Sequence, residues 1–218
     1  MAFTHVQLIY HRAHTDARNP PIVPRLSALD EANRQVRHFV RVVRHIIATR
    51  NPQIDHQPTT LKVLLAPEFY FRHPHGQYDG TGHFRELDVA LIGGCLLREL
   101  GGTPAQPILR GHSWIVIPGT VIWSYLVQSP DHPDRHAIMN TILLLDFSRD
   151  EVAIKRCDKQ NFSITDNLNT ILNGAMNGVV RPEAAQYHSS QTHIAGGVRI
   201  GMEIRWLRWL RYRRVPPR

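Results

Sequence analysis

Apolar residues fall along this chain in two patterns, short dense runs and positions that recur every three or four residues. The runs at 5–10 (HVQLIY), 61–66 (LKVLLA), 113–118 (SWIVIP), 141–146 (TILLLD), 151–159 (EVAIKRCDK) and 198–204 (VRIGMEI) predict strands. The third is broken by Gly119 and resumes from Val121. Alternation in 151–159 sets Val152, Ile154 and Arg156 on one face, and Ala153, Lys155, Cys157 and Lys159 on the other. The longer period appears at Leu29, Ala32, Val36, Phe39, Val40, Val43 and Ile47, one buried stripe of a helix. Ser27 caps that helix, with Asp30 three residues on. Asp30 and Glu31 sit at its start and Arg44, His45 and Arg50 near its end, as the macrodipole favours. Its outer face (Arg34, Arg37, Arg41, Arg44) reads as solvated, with a grip on phosphates as the alternative. Residues 85–100 predict a second helix, stopped by Gly101-Gly102. Segments 19–24 and 166–178, rich in Pro, Asn and Gly, read as loops. Strand, helix, strand, helix, then several strands: the order predicts an α/β fold.

Position 67 is where chemistry enters. Pro67 cannot donate to a sheet ladder, so the strand 61–66 stops there and Glu68 stands at its carboxyl end, before Phe69, Tyr70 and Phe71. Ligands of open α/β sheets bind at that end of the strands. Aromatics around a carboxylate would raise its pKa and suit it to general-base work. The plainer alternative pairs Glu68 with Arg72. In the following loop His73, His75 and His83 have no zinc-type spacing, so the loop reads as one that shapes a ligand site. Cys95 lies in an apolar stretch of the second helix and reads as packing.

A length of 218 residues, 42% hydrophobic and 20% charged, suits one soluble domain. Neither a basic leader with a long apolar run nor an uninterrupted membrane-length run occurs, so a cytoplasmic location is expected. Cys95 and Cys157 make no disulfide framework and no metal-type spacing; neither metal nor cofactor is implied. The net charge of +8 is local: residues 205–218 hold six arginines and no acid, leaving +2 for the rest. Basicity in the body of the chain therefore makes no case for nucleic acid.

Taken together, Pro67-Glu68 closing a strand, DKQNF (Lys159 to Phe162) closing a later one, and GVRIGMEI resemble the nitrilase, or carbon–nitrogen hydrolase, superfamily. WIVIPGT and NTILLLD are similar to the family's intervening strands, and the set runs in order from the first strand to Ile204. The resemblance implies a four-layer α-β-β-α sandwich, incomplete at its C-terminus, and a Glu–Lys–Cys triad that opens amides or nitriles through a thioester. A thiol attacks as thiolate and needs a base, and charge growing on the substrate heteroatom needs a cation. Glu68 resembles the base and Lys159 the cation, with Lys155 its rival. Both are expected to end neighbouring strands of one sheet and face one cleft.

The nucleophile is absent. Its family position holds Arg205, which would instead pair with Glu68, and Glu203 is too poor an attacker to replace it. Cys157 reads as a structural thiol. The resemblance thus implies a partial domain over 1–204 without turnover, a small amide or nitrile as its ligand, and a homo-oligomer, since dimers are common in the family. Residues 205–218 form an Arg/Trp-rich tail, read as out of frame or else selected. Two alternatives stand beside this reading. One is a non-catalytic binding domain; the other is a nucleic-acid or membrane-surface binder acting through the tail.

Overall fold

The computed structural model describes residues 3–13, 26–48, 52–74, 82–103, 105–126, 136–158, 190–195 and 198–203. Its elements run β1 (His5–Tyr10), α1 (Ala28–Ala48), β2 (Thr60–Leu65), α2 (Glu86–Gly101), β3 (Trp114–Ile117), β4 (Thr120–Leu126), β5 (His136–Asp146), β6 (Ala153–Asp158), β7 (Ser190–Ala195) and β8 (Val198–Glu203). The architecture is mixed α/β, as the order of apolar patterns implied. Among the described residues no helix is long and apolar enough to cross a membrane.

Six strands form one mixed sheet. β1, β2 and β3 lie side by side and parallel, and β5 runs antiparallel to β3. β3 and β4 are two lengths of one strand laid along the same edge of β5. The register passes from Val116↔Leu145 to Thr120↔Ile142, so one residue more is used on the β3–β4 side, a bulge at Pro118-Gly119. β6 pairs with the other edge of β5 as a hairpin. β5 begins well before the predicted 141, because residues 136–140 find ladder partners on β4.

The sheet's two faces have different covers. On one, α1 and α2 bury Phe39, Val43, Ile92 and Leu96 against Leu64, Val116, Trp123, Leu143 and Leu145. On the other, Leu61, Val63, Ile115, Ile117, Leu144 and Cys157 form a second cluster, on which Val198 and Ile200 of the β7–β8 hairpin pack. β2 is buried along nearly its whole length, as a strand covered on both faces must be.

Helix α1 begins as its sequence requires. The Asp30 N–H donates to Ser27 Oγ at 3.1 Å, and Ser27 Oγ–H donates to Asp30 Oδ2 at 2.6 Å. One stripe position is corrected: Leu29 is 49% exposed, because the first turn projects past the core that Ala32, Val36 and Phe39 fill. Glu31, expected to serve only the helix dipole, is fully buried. Arg34 grips its carboxylate from Nε at 2.8 Å and from a terminal nitrogen at 2.6 Å. Gln35 Nε2 donates both to Glu31 Oε1 at 2.6 Å and to the Arg72 carbonyl at 2.7 Å, tying α1 to the segment after β2. Such a carboxylate is tolerable inside only because these donors replace water.

Candidate functional site

The segment after β2 leaves the sheet and returns to it within a few residues. The Ala66 N–H still donates to the Ile117 carbonyl at 2.9 Å, and Phe71 is already bridged in parallel to Val121. Between them Phe69 adopts φ 63°, a turn conformation, and its N–H donates to Thr120 Oγ1 at 2.9 Å. The loop 67–70 thus lies over the bulge between β3 and β4. Gly119 makes this approach possible. Its φ is 86°, and a Cβ there would stand 2.2 Å from the Pro67 carbonyl oxygen and 2.8 Å from Tyr70 Cβ.

Laid across the bulge, Glu68 reaches β5. Asn140 Nδ2–H donates to Glu68 Oε1 at 2.7 Å. Asn140 is 1% exposed, and its Oδ1 meets no hydrogen-bond partner among the described residues. Alternation along β5 puts Asn140 on the face of Ile142 and Leu144, away from the helices. Cys157 of β6 pairs with Ile142 on that face, and is 1% exposed within the apolar cluster. Glu68, Asn140 and Cys157 therefore belong to one side of the sheet, with Asn140 and Cys157 about 7 Å apart along the strand direction.

The expected ring of aromatics about Glu68 is not what forms. Tyr70 and Phe71 turn to the helix side, where each packs edge-on against Phe39, with ring centroids 5.3 and 6.2 Å away. Burial pushes the Tyr70 hydroxyl up to about 12, against a smaller opposing pull from Arg34. A second correction concerns strand order: β2 and β6 are not neighbours, since β3–β4 and β5 lie between them. The short turn after β5 forces β6 onto the outer edge of β5, so Glu68 approaches that half of the sheet through its loop. Lys159 and Arg205 lie outside the described residues, as do His75 and the tail 205–218.

A different polar cluster occupies the helix face of the same strands. Trp123 Nε1–H donates to Thr141 Oγ1 at 2.7 Å, and the Thr141 hydroxyl donates in turn to Asp158 Oδ1. Arg156 Nε donates to the same oxygen at 3.1 Å, and a terminal nitrogen to Glu86 Oε1 at 3.0 Å. Its guanidinium lies over the Trp123 ring, 4.9 Å from the centroid. This network ties β6 to β4, β5 and α2. Of the loop histidines, His73 and His83 are both buried, with the His73 ring edge-on to Phe84 at 5.5 Å.

Sequence reasoning missed Asn140 and gave Gly119 no role beyond breaking a strand. The first left a signal, a lone amide at a strand position otherwise filled by aliphatic residues. Chemically, the site offers a carboxylate fixed by an amide, with the amide's own oxygen beside it as a second acceptor. No protein-family model, curated protein or solved structure matches this chain.

Proposed function

We propose that this chain carries a carbon–nitrogen-hydrolase-type site without its nucleophile, and binds a small amide or nitrile rather than turning it over. On this reading the fold is a nitrilase-like α-β-β-α sandwich, with Glu68 in the base position, Lys159 in the cation position and Arg205 where the attacking cysteine would stand. What supports it above all is the Asn140–Glu68 hydrogen bond of 2.7 Å at the carboxyl end of β2, on the sheet face turned away from the helices. The described β5–β6 ladder ends at Thr141↔Asp158, and the residues next in sequence beyond that pair are Asn140 and Lys159. An ammonium on that side of the sheet would complement Glu68 and Asn140 Oδ1, and a bound amide would find acceptors for its N–H groups there. A layer of strands begun by the β7–β8 hairpin on the same face also suits the sandwich.

The test is acylation. The unaltered chain, given a panel of small amides and nitriles, should release no ammonia above buffer. Arg205→Cys should form a covalent adduct visible by mass spectrometry, a thioester with loss of ammonia from an amide or a thioimidate from a nitrile, and adding Glu68→Gln should suppress it by about 100-fold, the usual worth of a general base. Turnover by the unaltered chain that Cys157→Ser abolishes would move the nucleophile to Cys157 and end the inactive reading. An Arg205→Cys adduct indifferent to Glu68, or none at all, would remove the hydrolase reading.

A further inference from the structure

The first strand leaves part of its backbone unused. β1 is the outermost strand, paired with β2 on one side; among the described residues nothing pairs with its other side. The His11 N–H donates to the Leu65 carbonyl at 2.8 Å, so the odd-numbered residues turn their backbone groups to β2. Those of Val6, Leu8 and Tyr10 therefore point outward. Their side chains are 47%, 53% and 68% exposed, on the sheet face opposite the helices. Beside this open edge lies a cavity of about 1030 Å³, between β1 and the second half of α1.

Among the described residues, the charged side chains of that cavity are of one sign. Arg12, two residues past β1, and His38, Arg41 and His45 from α1 line it, together with the apolar Ile9 and Val42. Among the described residues no carboxylate lines it. His11 also contributes, and its Nε2 is buried with no hydrogen-bond partner among the described residues. At the Gln7 end the cavity is shaped by Gln53, whose carbonyl accepts from Gln7 Nε2 at 2.5 Å.

We propose that the open edge of β1 receives an extended acidic segment of another protein, which joins the sheet as a further strand and sets alternate carboxylates against the basic wall of α1. Main-chain hydrogen bonds to Val6, Leu8 and Tyr10 would hold the segment, and the alternation of its side chains would select it. A second copy of this chain is the obvious rival, and charge argues against it. Pairing β1 with its own copy about a two-fold axis would bring two such basic walls together. The arginine-rich residues 205–218 carry the same sign and are excluded for the same reason.

The probe is a short fluorescein-labelled peptide alternating Glu and Val, followed by anisotropy against the full chain. It should bind, and raised salt should weaken it. A Lys/Val counterpart should bind at least about tenfold more weakly. N-methylation of the Glu/Val peptide at alternate residues removes the ladder donors, leaves the protein untouched, and should abolish binding. Arg41→Glu, at an exposed helix position, should cost about three- to tenfold in affinity. Amide exchange at Val6, Leu8 and Tyr10 should slow on binding. Equal binding of the N-methylated peptide, unchanged exchange at those amides, or failure of the Glu/Val peptide to bind would each overturn the proposal. So would a concentration-dependent dimer that protects the same amides without peptide, which would assign the edge to a second copy.

Discussion

Gly119 shows how one residue can decide where a site stands. Its backbone at φ 86° lets the loop 67–70 cross the break between β3 and β4 close enough for Glu68 to reach Asn140. Any side chain there meets a strained φ and the Pro67 carbonyl together. Gly119→Ala should lower stability by about 2–5 kcal/mol, read from the urea midpoint, because overpacking adds to the cost of left-handed backbone. A loss of only a few tenths would mean that the loop yields freely. Asn140 teaches the complementary lesson. The segment NTILLLD was readable as a strand; only the pairing of residues 136–140 with β4 carries that strand back past Asn140 and buries its amide. Glu31 was equally hidden, since an acid in a first helical turn ordinarily faces water.

At the scale of elements, both helices and most strands were readable because their determinants are local. α1 is the clearest case, with its cap, stripe and end charges all within one helix length. Ser27→Ala removes the side chain that accepts from the Asp30 N–H and should destabilise by about 1 kcal/mol, seen as a lower urea midpoint and weaker amide protection in the first turn. Leu29 failed the stripe because periodicity describes a helix of indefinite length, whereas the core it meets is finite. The collinear β3 and β4 were signalled by Pro118-Gly119, yet nothing local says that the two pieces share one edge of β5.

At the scale of the molecule, two partly buried groups give the fold a preferred pH window. Burial, and to a lesser degree the nearby His38, holds the His11 imidazole below its ordinary 6.5. The folded state thus favours neutral His11, so its contribution is complete above about pH 6.5 and is lost as pH falls through the depressed value. Tyr70 sets the alkaline side. With its hydroxyl pushed from 10.0 to about 12, the fold favours the protonated phenol, and that stability is lost as pH rises through that interval. Urea midpoints should therefore decline from about pH 8 to about pH 5, and His11→Phe should flatten that acid limb. An unchanged acid limb in the variant would transfer the effect to other histidines. The same whole-molecule view separates the two sheet faces: the helix face is closed by α1 and α2, and the other carries the β7–β8 hairpin and the Glu68 side.

The sequence by itself determined what each segment becomes: the strand stop at Pro67, the cap at Ser27, the helix end at Gly101-Gly102, and a carboxylate delivered to a strand's carboxyl end. These follow from φ restriction, from a missing donor and from side-chain periods, all forces acting over a few residues. Tertiary structure alone decided strand order, which put β3–β4 and β5 between β2 and β6, left β1 at an edge and turned Tyr70 away from Glu68. It also chose the partner of Glu68, an amide 72 residues further along the chain. Such pairings depend on which surfaces meet once the sheet has closed, and no local pattern records that encounter.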